Sequence, residues 1–251
     1  MLAYSEFGAP DAPAVIIVHG LYGSGRNWGV IAKRLSDQLR VITVDLRNHG
    51  QSAWTDSHSY PDMAGDLAEL IDHLGAPCHV VGHSMGGKAA MVLAIKHPQL
   101  VHRLIVADIA PTAYGHSQMQ FITAMRNVDL GTLSRRSDAE AQLAEQGVEP
   151  ALQSFFTQSL DVPNKRWRLN LDVLAKEMDK ILSFPDLTGH FDGPSLFLSG
   201  ANSDYVTPGH RPQIKTLFPK ARFAKLPDAG HWLHADKPRE FEAAVRIFLT
   251  A

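Results

Sequence analysis

A serine hydroxyl is a poor nucleophile at neutral pH, so a chain that uses one covalently must set it beside a base and hold it in a sharp turn. The stretch Val80-Val81-Gly82-His83-Ser84-Met85-Gly86-Gly87 has that layout, with one serine between two glycines where an apolar strand gives way to an alanine-rich helix. A strand turning directly into a helix strains its corner residue and requires small residues two positions away on each side. Gly82 and Gly86 meet the requirement, so the stretch has the form of a nucleophile elbow. Short patterns of this kind also arise by chance in other α/β proteins, as glycine-rich turns, and the flanking elements must support the reading.

The base that takes the serine proton is best supplied by histidine, whose pKa lies near neutrality. His231, in Pro227-Asp228-Ala229-Gly230-His231-Trp232, is the candidate because it sits between the last strand and the closing helix; His234 is its competitor. Most of the 13 histidines are expected to be structural or superficial. An oxyanion formed during acyl transfer needs preorganised N–H donors. The N–H of Met85, directly after the nucleophile, is one, and the N–H of Leu21, in His19-Gly20-Leu21 after the first core strand, is the other. The acid that orients the histidine has more than one candidate. An acid three residues past Gly200 would fall on Ser203, and Asp204 is one residue off. Asp108, ending the strand Leu104-Ile105-Val106-Ala107, is preferred, with Ser203 as a further hydrogen-bond partner of His231 and Asp204 still in contention.

These residues need a sheet to gather them. Apolar runs at Ala14 to Val18, Arg40 to Asp45, Cys78 to Val81 and Arg103 to Ala107 alternate with helical patterns near Asn27 to Ser36, Pro61 to Leu74 and Gly87 to Lys96. Such alternation predicts βαβ units and a mostly parallel sheet buried on both faces. From Tyr114 to Phe184 no convincing strand is visible, while Trp167, Leu171, Leu174, Met178 and Ile181 recur at helical spacing. The α/β rhythm resumes with strands at Ser195 to Ser199 and Arg222 to Lys225 and a helix at Pro238 to Leu249. The reading is one α/β core, residues 1–112 and 186–251, carrying a helical cap over 113–185. Ligands bind beyond the carboxyl ends of parallel strands, where Ser84, Asp108 and His231 all fall. Met119, Phe121, Phe155, Phe156 and Trp167 are candidate pocket walls within the cap, unless they are simply its core.

Composition excludes several alternatives. Lys plus Arg total 24 against 26 Asp plus Glu, a net charge of -2, so no basic field exists to hold nucleic acid. The single cysteine, Cys78, falls in a predicted core strand and reads as apolar filler. No ligand cluster suggests a metal. With no charged leader and no run of about 18 apolar residues, no membrane association is expected, and a cytoplasmic monomer or homodimer is the simplest expectation. A dinucleotide fingerprint starting at Gly23 would place Trp28 where the third glycine belongs. Dehalogenase and epoxide hydrolase chemistry need a carboxylate where the elbow carries Ser84.

The chain resembles the α/β-hydrolase superfamily over nearly all its length, and within it the YbfF-type esterases. The resemblance is carried by Asp45-Leu46-Arg47-Asn48-His49-Gly50-Gln51-Ser52, Gly82 through Lys88, Asp108-Ile109-Ala110-Pro111 and Trp167-Arg168-Leu169-Asn170. It implies an α/β-hydrolase fold with a helical cap, hydrolysis of small-molecule carboxylic esters or acyl thioesters, no cofactor, and an aspartate matching Asp108 that works with a serine matching Ser203. Carbon-carbon hydrolysis or a synthase-type elimination uses the same triad on this fold, and a non-catalytic binding module is the remaining alternative.

Overall fold

The computed structural model describes residues 1–251. Nine strands form in chain order: β1 (Ala3–Phe7), β2 (Ala14–Val18), β3 (Arg40–Asp45), β4 (Cys78–His83), β5 (Val101–Ala107), β6 (Leu160–Asp161), β7 (Arg166–Trp167), β8 (Ser195–Gly200) and β9 (Ala221–Leu226). Seven make one sheet in the order β1-β3-β2-β4-β5-β8-β9, parallel throughout except for β1, which runs antiparallel to β3. The inner strands are runs of Val, Ile and Leu because both faces are covered. Alternate residues of β2 divide between the two layers: Val15 and Ile17 face one core, Ile16 and Val18 the other.

The helices are α1 (Gly29–Leu35), α2 (Tyr60–Leu74), α3 (Met85–Lys96), α4 (Met119–Arg126), α5 (Arg136–Glu145), α6 (Pro150–Thr157), α7 (Leu171–Lys176), α8 (Met178–Leu182), α9 (Arg211–Leu217), α10 (Leu233–Asp236) and α11 (Pro238–Thr250). α1 and α11 bury Ile31, Leu35, Phe241 and Val245 against one face of the sheet, and α2 and α3 bury Met63, Leu67, Ala89 and Leu93 against the other. α2 shows why its ends fall where they do. Ser59 accepts from the Asp62 N–H, Pro61 occupies the first turn, and Gly75 terminates the helix at φ 84°.

Three features depart from the sequence reading. β1 was not anticipated; it is a short edge strand of mostly exposed residues, without the apolar run that marks the inner strands. The segment between β5 and β8 is not free of strands, since β6 and β7 pair as a two-stranded antiparallel ladder. The periodic stretch ending at Ile181 is not one helix: Trp167 lies on β7, Asn170 caps α7 through its side chain, and the chain breaks at Glu177 before α8.

Two of the segments that carry the family resemblance, far apart in sequence, dock on one another. The N–H of Gly50 donates to Arg168 O at 2.8 Å, the N–H of Asn170 to Asn48 O at 2.9 Å, and Asn170 Nδ2 to Asn48 Oδ1 at 3.0 Å. The loop after β3 thus holds the segment after β7 beside the carboxyl end of the sheet.

Candidate active site

Ser84 stands at the corner between β4 and α3 with φ 53° and ψ −122°. The turn closes only because its neighbours lack side chains. A methyl group on Gly82 would lie 2.4 Å from the Gly86 carbonyl oxygen, and one on Gly86 would lie 2.4 Å from the carbonyl oxygen of His19. Gly20 permits a second close approach, since a methyl there would stand 3.2 Å from Ser84 Cβ. That contact brings the loop after β2 against the serine.

His231 reaches the site from the loop between β9 and α10. Its Nε2 lies 3.0 Å from Ser84 Oγ and its Nδ1 2.8 Å from Asp108 Oδ2. Asp108 is fully buried and its oxygens meet three protein donors: His231 Nδ1–H, the Ser203 hydroxyl, and the Gly200 N–H at 3.1 Å from Oδ1. Protein dipoles thereby replace water around a carboxylate that only accepts hydrogen bonds. Ser203 turns its hydroxyl to Asp108 and not to His231, correcting the expected partnership; its oxygen also accepts from the Tyr205 N–H. Asp204 is exposed and has no side-chain partner.

Two residues that sequence reasoning missed hold the imidazole in place. The Tyr205 ring stacks on His231 at 3.9 Å and 19°. His83 Nε2–H donates to the His231 carbonyl at 2.8 Å, fixing the backbone that carries the ring. His83 lies in the elbow itself and Tyr205 directly follows Asp204 in the loop after β8, and that adjacency was the available signal. His234 is no rival for the serine; it stacks on Trp28 at 4.0 Å, and burial with the neighbouring His231 pushes it down to about 3.

Leu21 and Met85 both line the cavity, and neither backbone N–H has an acceptor in the protein. Behind them runs a line of buried histidines. His19 Nε2 accepts from the Leu46 N–H at 3.0 Å and its Nδ1–H donates to Gly20 O at 2.8 Å. His49 Nε2 accepts from the Tyr22 N–H at 3.2 Å, and His58 Nε2 lies 3.3 Å from Met85 Sδ. Burial pushes these groups down to about 4 for His19, about 3 for His49 and about 2 for His58, so all three are neutral and can accept as well as donate. His83 is likewise held well below its ordinary value by burial and its histidine neighbours.

A cavity of about 350 Å³ opens onto Ser84 and His231, with Phe121, Phe155 and Phe156 in its walls. Trp167 does not line it. Its indole Nε1–H donates to Met125 O at 2.9 Å and the ring is buried in the core of the inserted segment, so its role as a pocket wall is withdrawn. Met119 is absent from the cavity too and packs against the main core. Of the basic residues of this segment, Arg126 pairs with Asp172, Arg135 with Asp138, and Arg166 and Arg168 with Asp161, all away from the cavity.

Comparison with known proteins gives a consistent picture. Residues 13–238 match a family described as the alpha/beta hydrolase fold. An sn-1-specific diacylglycerol lipase from Mus musculus is 44% identical over 96% of this chain and 82% of its own length. Esterase YbfF of Escherichia coli is 34% identical over 94% of this chain and 92% of its own. Among solved structures, a marine microorganism esterase superposes with a TM-score of 0.93 at 38% identity, covering 99% of each chain. The sheet order, the strained serine at the β4–α3 corner and this agreement along nearly the whole sequence make the chain a member of the α/β hydrolase fold family.

Proposed function

We propose that this protein hydrolyses carboxylic esters or acyl thioesters through an acyl-Ser84 intermediate, with residues 113–185 as a cap over the site. The observation that carries the reading is the unbroken line Ser84 Oγ, His231 Nε2, His231 Nδ1, Asp108 Oδ2, with contacts of 3.0 and 2.8 Å, at the mouth of a largely apolar cavity. His231 takes the serine proton as Oγ attacks the acyl carbonyl, then returns it to the leaving oxygen or sulfur. Asp108 holds the ring so that Nε2 faces the serine and stabilises the imidazolium that forms. The free N–H groups of Leu21 and Met85 receive the oxyanion, each contributing on the order of 10²- to 10³-fold. Water activated by His231 then releases the acyl group. The names of the relatives, two esterases and a lipase, favour oxygen esters.

The test compares the wild type with Ser84→Ala on matched p-nitrophenyl esters and acyl-CoA thioesters of increasing chain length. The reading expects turnover of at least one series by the wild type and loss of nearly all of it in a folded variant. Normal rates in Ser84→Ala would remove the acyl-serine step, and a wild type inert on both series would move carbon-carbon hydrolysis or elimination ahead.

A further inference from the structure

Helix α3 is buried along nearly its whole length, and Lys88 is the one charged residue among its buried positions. The residue is 1% exposed and lines the cavity that Ser84 enters, one helical turn beyond the nucleophile. Two of its three N–H donors are used, to Leu182 O at 2.9 Å and Ser183 O at 2.6 Å at the end of α8. The third has no protein acceptor. The rings of Tyr114 and Tyr60, 4.9 and 5.6 Å away, stabilise a cation without neutralising it. No carboxylate pairs with it, and burial alone acts on it, lowering it to about 7. A lysine buried without an opposite charge is costly, and a fold that needed only to cap α8 could do so with a neutral donor. The arrangement leaves a cationic donor with no protein counter-charge on a residue that lines substrate space.

We propose that the cavity accepts acyl groups bearing a carboxylate at the end remote from the scissile carbonyl, and that Lys88 is the residue that binds this carboxylate. The inference rests on the acyl-Ser84 reading and narrows it to half-esters of dicarboxylic acids. Lys88 forms one N–H to carboxylate hydrogen bond, completing its three donors, while the apolar walls take the methylenes between the two ends.

The experiment measures kcat/KM for mono-p-nitrophenyl esters of dicarboxylic acids with six, seven and eight carbons against the p-nitrophenyl monocarboxylates of the same chain length, corrected for spontaneous hydrolysis. Each pair differs only in a terminal carboxylate or methyl. The expected result is a ratio favouring the carboxylate by roughly 10- to 100-fold at the length that reaches Lys88, collapsing to about one or below in Lys88→Met. Should that variant fail to fold, Lys88→Gln, which keeps a donor for Leu182 but not the charge, makes the same comparison. A wild type that hydrolyses the neutral esters and disfavours the carboxylates at every length overturns this inference alone, as does a ratio that persists without the lysine. Inactivity toward both series overturns it together with the esterase reading.

Discussion

Acidification from pH 7.5 to 5 should remove most of this protein's stability before its carboxylates take up protons. His19, His49, His58 and His83 are each at most 3% exposed. Burial lowers the first three to about 4, 3 and 2 and leaves His83 well below its ordinary value. In the unfolded chain each titrates near 6.5, so between that pH and about 4 the unfolded state holds more protons than the native one. Stability therefore rises with pH across this window and is lost as pH falls below about 6.5. At pH 5 each group costs roughly 2 kcal/mol, from 1.5 pH units at about 1.4 kcal/mol per unit, and the four together cost about 8 kcal/mol. A native stability on the order of 5–15 kcal/mol would be largely consumed. Asp62 and Glu177, whose carboxyls are lowered, lose their contribution only as pH falls below about 4, so the upper window belongs to the histidines. Urea unfolding at constant ionic strength and half-unit pH steps gives the unfolding free energy directly. These four histidines should contribute about 5 kcal/mol per unit to its slope near pH 5, to which His234, lowered to about 3, adds, and His49→Gln, which can still accept from Tyr22, should reduce the slope by about one proton's worth. A free energy that changes by less than about 2 kcal/mol between pH 7.5 and 5 would refute the assignment of these imidazoles as neutral and sealed from water.

Asp108→Asn should lower kcat/KM by on the order of 10²- to 10⁴-fold, while Asp204→Asn stays within a few-fold; the opposite ranking in steady-state kinetics would reassign the acid. Gly86→Ala should abolish soluble expression or shift the melting temperature sharply downward, since its methyl meets the backbone of His19, and a variant of normal stability would mean the elbow can open. Trp167→Ala should cost about 3–5 kcal/mol in denaturant unfolding yet leave the acyl chain-length profile unaltered, and a changed profile would return the residue to the pocket. Phe155 forms a wall of both the cavity at Ser84 and a neighbouring one of about 410 Å³, so Phe155→Ala should favour longer substrates by about 10-fold relative to short ones; an unchanged profile would show that the two spaces stay separate.

How much of this was readable from the chain depends on where each constraint resides. The inner strands are legible because burial on both faces leaves continuous apolar runs, and the elbow is legible because the crossing of β4, α3 and the loop after β2 leaves room only for glycine at 82 and 86. β1 carries no such mark, for an exposed antiparallel edge needs neither apolar continuity nor special residues. Phe155 and Trp167 could not be told apart, because a large apolar side chain serves a helical core and a pocket wall equally well and only the folded segment decides which way it turns. Lys88 is hidden for the opposite reason: a lysine on a helix ordinarily faces water. The acid exposes the deepest limit. Asp108 and Asp204 follow adjacent parallel strands, and what separates them is the register Ala107↔Leu198, which joins the Asp108 N–H to Leu198 O and aims the Gly200 N–H at its carboxylate. That register is a property of the pair β5 and β8, written in neither strand alone, so a residue count from Gly200 fell on a serine whose part is to hold the aspartate.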